Sequence, residues 1–205
     1  MAQIYLISPP DFDIKTFAPH LESVLKTGLV PVFQLRLKDH QKNEIIKISQ
    51  EVKKICQQNN CLFILNDNHE IALEVGADGV HLGEEDGAIS EARKKSPQKF
   101  IIGASCYNSR HLAMEAGEWG ADYIAFGAFF PTKTKIAKTK AEPEILEWAS
   151  EMLNLPIVAI GGITDQNAAP LAKSGADFVA VISYVWDHAQ GEAAAVKNLH
   201  KAIIS

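Results

Sequence analysis

Short runs of apolar, β-branched residues alternate with longer stretches of helical periodicity from one end of the chain to the other. The short runs predict strands over 4–8, 32–37, 62–65, 79–82, 100–104, 123–126, 157–160 and 178–182. Each is bounded by turn residues or by a helical pattern. Residues 43–57 place Ile45, Ile46, Ile48, Val52 and Ile55 on one broad face, and 144–153 carry Ile145, Leu146 and Trp148. Strand starts recur every ~25 residues on average, the size of one βα unit, and strict alternation implies a parallel sheet. Eight such units close a (β/α)8 TIM barrel, expected as a single α/β domain over 1–205. An open doubly wound sheet would need fewer strands and a point where their order reverses.

Gly-Ala-Asp precedes a strand three times, at 76–78, 120–122 and 175–177. The glycine predicts a left-handed residue ending a helix, and the aspartate suits the turn into the next strand. These aspartates are therefore assigned to the bottom face of the barrel, as structural residues.

Composition narrows the function classes. A chain of 205 residues, 47% hydrophobic and 22% charged, suits one globular domain. A formal charge of -5 argues against broad nucleic-acid binding, so any anion site must be local. No stretch approaches the roughly 18 apolar residues that would suggest a membrane span. The first apolar run lacks a basic segment before it and is broken by prolines and acids, unlike a secretory signal. Cys56, Cys61 and Cys106 have neither zinc-site spacing nor a CxxC pair, which points to reduced thiols and a cytoplasmic setting. A homo-oligomer is compatible with all of this.

In such a barrel the chemistry belongs at the C-terminal strand ends. Along 32–38, alternation puts Gln34, Arg36 and Lys38 on the face toward the mouth, and Phe33, Leu35 and Leu37 toward the helices. Cations turned inward need an anion or paired carboxylates. The Arg fork and the compact Lys charge favour an anionic ligand over an internal salt bridge. Asp67 and Asp86 follow the third and fourth strands, where they either share a hard cation such as Mg2+ or cap the next helices. Ser105 either donates to a ligand or caps the helix beginning near Asn108, and no histidine is placed with it to activate a nucleophile. The longest loop, 127–141, offers Thr132, Thr134 and Lys135 to phosphate, while Lys138 and Lys140 read equally well as solvated. Gly161-Gly162 after the seventh strand and Ile182-Ser183 after the eighth occupy the recurrent phosphate position of these barrels. His81 either faces the mouth or packs in the core, the other histidines lack metal-ligand spacing, and none is assigned a role.

Taken in order, Gln34-Leu-Arg36-Leu-Lys38, Asn66-Asp67, Ala77-Asp-Gly-Val-His-Leu-Gly83 with Asp86, Ile102-Gly-Ala-Ser105, Gly127 with Pro131-Thr-Lys-Thr-Lys135, Ala159-Ile-Gly-Gly-Ile163 and Val181-Ile-Ser183 resemble the thiamine phosphate synthase family. The resemblance spans most of the chain. It implies a transferase that joins 4-amino-2-methyl-5-hydroxymethylpyrimidine diphosphate to 4-methyl-5-(2-phosphoethyl)thiazole, or its carboxylated form, and releases diphosphate in the presence of Mg2+. It further implies that Asp67 and Asp86 hold the metal and that Arg36, Lys38, Asn66 and Lys135 bind diphosphate. Gln34 and Ser105 would place the pyrimidine, and Thr132, Thr134, Gly162, Ile182 and Ser183 would surround the thiazole phosphate. Of these, Arg36, Lys38, Ser105 and Lys135 carry the catalytic expectation. Glu84, Ala128 and Asn68 depart from residues common in the family, which have Gln, Pro, and Arg or Asp there. Two rival readings are a thiazole tautomerase, a related branch that tends to lose the diphosphate set, and a non-catalytic barrel that binds a thiamine precursor and regulates a partner.

Overall fold

The computed structural model describes residues 1–205 apart from 39, 85–87 and 133–138, and its strands close into one parallel barrel. The strands are β1 (Gln3–Ile7), β2 (Val32–Leu35), β3 (Leu62–Asn66), β4 (Gly79–Leu82), β5 (Ile101–Tyr107), β6 (Tyr123–Gly127), β7 (Ile157–Ile160) and β8 (Phe178–Val181). The helices are α1 (Ile14–Leu25), α2 (Lys42–Gln58), α3 (His69–Val75), α4 (Ile89–Lys95), α5 (Arg110–Glu118), α6 (Glu144–Met152), α7 (Ala168–Lys173), α8 (Ser183–Trp186) and α9 (Glu192–Ile204). Closure is made by β1, whose Tyr5 lies opposite Val32 of β2 on one side and Ala180 of β8 on the other. The chain is a (β/α)8 barrel with one short extra helix, α8, directly after the last strand.

Two apolar layers follow from the period of two. Ile4, Leu6, Phe33, Leu35, Phe63 and Leu65 point outward and are buried beneath the helices. Their neighbours Tyr5, Ile7, Val32 and Ile64 point inward and meet Tyr123, Ala125, Val158 and Ala180 inside the barrel. A strand covered on both faces must be apolar on both, so any polar residue on the inner face marks a place where something other than packing is served.

The repeated Gly-Ala-Asp sequence has one structural meaning. Gly76, Gly120 and Gly175 adopt φ of 64°, 94° and 108°, reversing the chain after α3, α5 and α7. The Oδ2 atoms of Asp78, Asp122 and Asp177 then accept from the backbone N–H groups of Phe63, Ile102 and Ile157 at 2.8, 2.7 and 2.8 Å. Each aspartate ties the start of its own strand to the strand before it. This satisfies amides that the barrel ladder leaves over at its bottom edge.

Two strands differ from the expected bounds by more than one residue, for physical reasons. β2 ends at Leu35, so Arg36 and Lys38 stand on the loop above the strand instead of within it. The neighbouring segment carries Pro9 and Pro10, which have no N–H for a ladder. The Arg36 N–H donates to Ser8 Oγ at 2.9 Å, and the Lys38 N–H to the Pro10 carbonyl at 3.3 Å. β5 instead continues to Tyr107, with a register shift against β6 between Ser105 and Tyr107. No helix among the described residues is long and apolar enough to cross a membrane.

Candidate active site

A cavity of about 620 Å³ opens at the C-terminal ends of the strands. Gln34, Arg36, Lys38, Asn66, Asp67, Ser105, Thr132, Gly162, Ile182 and Ser183 all line it, although they come from six different strand ends or loops. The remaining three sequence candidates, Asp86, Thr134 and Lys135, lie outside the described residues, as does Lys138. Lys140, read as solvated as readily as functional, is exposed and pairs with Glu142 at 2.6 Å.

On the β2–β3 side the polar groups form a chain. Gln34 is buried to 3% exposure, and its Nε2 donates to Asn66 Oδ1 at 2.9 Å. Asn66 Nδ2 in turn donates to Asp67 Oδ1 in a short contact. The carboxylate, which can only accept, orients Asn66, and Asn66 orients Gln34 so that Gln34 Oε1 remains as an acceptor. Asp67 itself holds φ of 68°, a left-handed conformation uncommon for a residue with a side chain. It does not cap α3. That role falls to Asn68, whose side chain accepts from the Ile71 N–H at 2.9 Å. Asp67 is exposed on the cavity wall, with Glu84 also lining it. Arg36 is half-buried and Lys38 exposed, so the expected cost of burying two cations inside the barrel does not arise.

The β4–β6 side contains a network that the sequence reading missed. His81 Nε2 lies 2.9 Å from Ser105 Oγ, which corrects the expectation that no histidine accompanies this serine. Its Nδ1 lies 2.9 Å from the Tyr123 hydroxyl, which lies 2.7 Å from the Tyr5 hydroxyl. Ser105 does not cap the following helix, because Ser109 does so by accepting from Leu112 N. The signal for His81 was present in the alternation Val80-His81-Leu82: both flanking residues are buried under the helices, leaving the histidine to face inward. Burial raises the phenol pKa values of Tyr5 and Tyr123 well above 10.0, so both keep their protons. Gly103 makes room for this layer, since a Cβ there would lie 1.9 Å from Tyr123 Cζ.

On the remaining side, the Gly161-Gly162 pair has φ of 107° and 62°. A Cβ on Gly162 would lie 2.4 Å from the Pro131 carbonyl oxygen, and one on Gly161 would lie 2.5 Å from Ala128 Cβ. The first demand on these glycines is thus close packing of the loop after β7 against the loop after β6, which carries Thr132 to the cavity. Ser183 begins α8, whose first N–H groups have no partner inside the helix.

The cavity wall therefore carries both signs of charge, Arg36 and Lys38 against Asp67 and Glu84, over a floor of neutral hydrogen-bonding groups. Residues 4–185 match the model of a family described as thiamine monophosphate synthase. The chain belongs to that family. It is 49% identical over 201 residues to a thiamine-phosphate synthase of Rhodospirillum centenum, covering 98% of this chain and 97% of the relative. A thiamine-phosphate synthase of Hyphomonas neptunium is 48% identical over 201 residues, covering 95% and 90%. Among solved structures, a thiamine phosphate pyrophosphorylase from Pyrococcus furiosus superposes with a TM-score of 0.84 at 33% identity, over 98% of this chain and 95% of that one.

Proposed function

We propose that this barrel is a thiamine phosphate synthase whose mouth holds the pyrimidine diphosphate and the thiazole phosphate together and transfers the pyrimidine methylene between them. The observation that carries the reading is the convergence of Gln34, Arg36, Lys38, Asn66, Asp67 and Ser105 on one cavity, beside the loops that follow β6, β7 and β8. Arg36 and Lys38 bind the diphosphate, as a planar fork and a compact charge suit phosphate oxygens. Gln34 and Ser105 hold the pyrimidine, and Thr132, Gly162, Ile182 and Ser183 surround the thiazole phosphate. Thr134 and Lys135 are assigned by sequence to the same two anion sites, and Asp86 to a metal with Asp67.

The donor set fits Mg2+. An anionic diphosphate brought beside Asp67 and Glu84 would be repelled unless a hard cation stood between them, and Mg2+ takes one or two carboxylates together with phosphate oxygens and water. Bound there, the ion would neutralise charge on the leaving group. In the transfer the C–O bond to diphosphate breaks with its electron pair leaving on oxygen, and the thiazole nitrogen lone pair closes the new C–N bond. Arg36 and Lys38 stabilise the developing negative charge from fixed positions. No protein nucleophile is needed. The reading includes a reducing, cytoplasmic setting, supported by three buried free thiols, and small molecules as the partners.

Incubation of the purified protein with both phosphorylated substrates and Mg2+ should yield thiamine phosphate and diphosphate in equal amounts. Chelation or Asp67→Ala should abolish turnover while the far-ultraviolet circular dichroism is retained. Isomerisation of a thiazole carboxylate without coupling would instead identify a tautomerase, and binding without turnover a regulatory barrel.

A further inference from the structure

The hydrogen bonds under the cavity floor can be read proton by proton. Two links join Tyr5 to Tyr123 and Tyr123 to His81 Nδ1, at 2.7 and 2.9 Å. Among the described residues these are the hydrogen bonds available to the two hydroxyls, and both rings are buried. Each phenol brings one hydrogen, and burial keeps it in place. If His81 Nδ1 also carried a hydrogen, three hydrogens would compete for two links, and one buried donor would be left without an acceptor whichever way the links pointed. If Nδ1 is bare, Tyr5 donates to Tyr123, Tyr123 donates to Nδ1, and every hydrogen is used.

The ring hydrogen of His81 then sits on Nε2, 2.9 Å from Ser105 Oγ. Nε2 becomes the donor and Ser105 Oγ the acceptor, so Ser105 cannot spend its own hydrogen on the imidazole. Because Ser105 lines the cavity, that hydrogen is turned toward a ligand. A pyrimidine ring nitrogen is a pure acceptor and matches it. The same polarity keeps His81 from acting as a base toward Ser105, in keeping with a coupling reaction that needs no serine nucleophile.

We infer that His81 is a positioning residue: the buried Tyr5–Tyr123 pair fixes its ring hydrogen on Nε2, and this sets Ser105 as a hydrogen-bond donor to a ring nitrogen of the pyrimidine substrate. The part concerning substrate rests on the synthase reading above, whereas the tautomer does not. Stacking of His81 on Tyr123, with ring centroids 5.6 Å apart and planes 27° apart, holds the imidazole in line for both links. Gly103 leaves the space in which the Tyr123 ring stands.

Nitrogen-15 NMR of histidine-labelled protein, with His81 assigned through His81→Gln, reads the tautomer without any substrate. The expected signal is a bare Nδ1 and a protonated Nε2. In Tyr123→Phe the lock is gone, and the two tautomers should mix. In steady-state kinetics, Tyr123→Phe and His81→Leu should raise KM for the pyrimidine diphosphate roughly tenfold, the size of one buried hydrogen bond, with KM for the thiazole phosphate and kcat little changed. His81→Gln, which can return an N–H to the Nε2 position, should restore KM to within about twofold of wild type. A hydrogen on Nδ1 in the wild-type protein would overturn the inference. So would an unchanged pyrimidine KM in both Tyr123→Phe and His81→Leu, or equal losses for both substrates. A wild-type protein that makes no thiamine phosphate yet shows the Nε2–H tautomer would sink the synthase reading while leaving the Tyr5–Tyr123–His81 chain intact.

Discussion

Asp67 and Asp177 show one side chain taking opposite tasks at the two ends of a barrel. At the bottom, Asp177 Oδ2 accepts from the Ile157 N–H at 2.8 Å, at the opposite end of the barrel from the mouth cavity. Asp177→Ala should lower unfolding free energy by about 1–2 kcal/mol, the cost of a lost hydrogen bond with its donor stranded, and leave kcat unchanged. A urea titration beside a turnover assay checks both. At the top, Asp67 sits in a left-handed conformation and gives its carboxylate to the cavity, where it also orients Asn66. Sequence identifies the bottom-face aspartates through context, since Gly-Ala-Asp before a strand is a turn, but leaves Asp67 open between a cation ligand and a helix cap. It did not expose His81, because the partners that give His81 meaning lie 24 and 42 residues away and are set only by strand register. The buried acids also fix an alkaline limit. Cys106 is pushed by burial from 9.0 up to about 12, and burial raises Tyr5 and Tyr123 from 10.0. Each keeps its proton in the fold after the unfolded chain has lost its own, so deprotonation favours unfolding. Stability from these groups is whole below the ordinary thiol value of 9.0 and declines as pH rises from there toward about 12. Thermal unfolding followed from pH ~8 to pH ~11 should show a falling midpoint, and a flat profile would contradict this burial.

At the scale of elements, the alternation of short apolar runs with helical patterns was enough to place every strand, because in a doubly covered barrel both faces of a strand must be apolar. Bounds were less legible where backbone chemistry overrides side-chain pattern. The polar–apolar alternation of 32–38 continues past the end of β2, yet the ladder stops at Leu35 against a neighbour that carries Pro9 and Pro10. Arg36 and Lys38 stand on a loop tied down by Ser8 Oγ and the Pro10 carbonyl instead of within the sheet. In sequence Gly103 is one residue of a strand motif, and its role appears only when β5 and β6 are set side by side: the Tyr123 ring fills the place of its missing Cβ. Gly103→Ala should therefore cost about 1–3 kcal/mol by overpacking and should disturb the Tyr123–His81 contact as well. Differential scanning calorimetry checks the first effect. A variant as stable as wild type would show that the inner layer can give way.

For the whole molecule, the barrel is a device for bringing distant sequence to one place. Residues as far apart as Gln34 and Ser183 share a cavity of about 620 Å³ because eight strand ends point the same way. Within it, Arg36, Lys38 and Asp67 cluster with the ends of β2 to β4, while Gly162, Ile182 and Ser183 follow β7 and β8. Under the proposed function, that separation lets the mouth seat two phosphorylated halves at once. Isothermal titration calorimetry tests it most directly, with thiazole phosphate titrated into protein already saturated with Mg2+ and inorganic diphosphate. Two distinct anion sites predict that thiazole phosphate still binds at one equivalent, with affinity equal to or better than in the absence of diphosphate. Competition, in which saturating diphosphate abolishes thiazole phosphate binding, would contradict it.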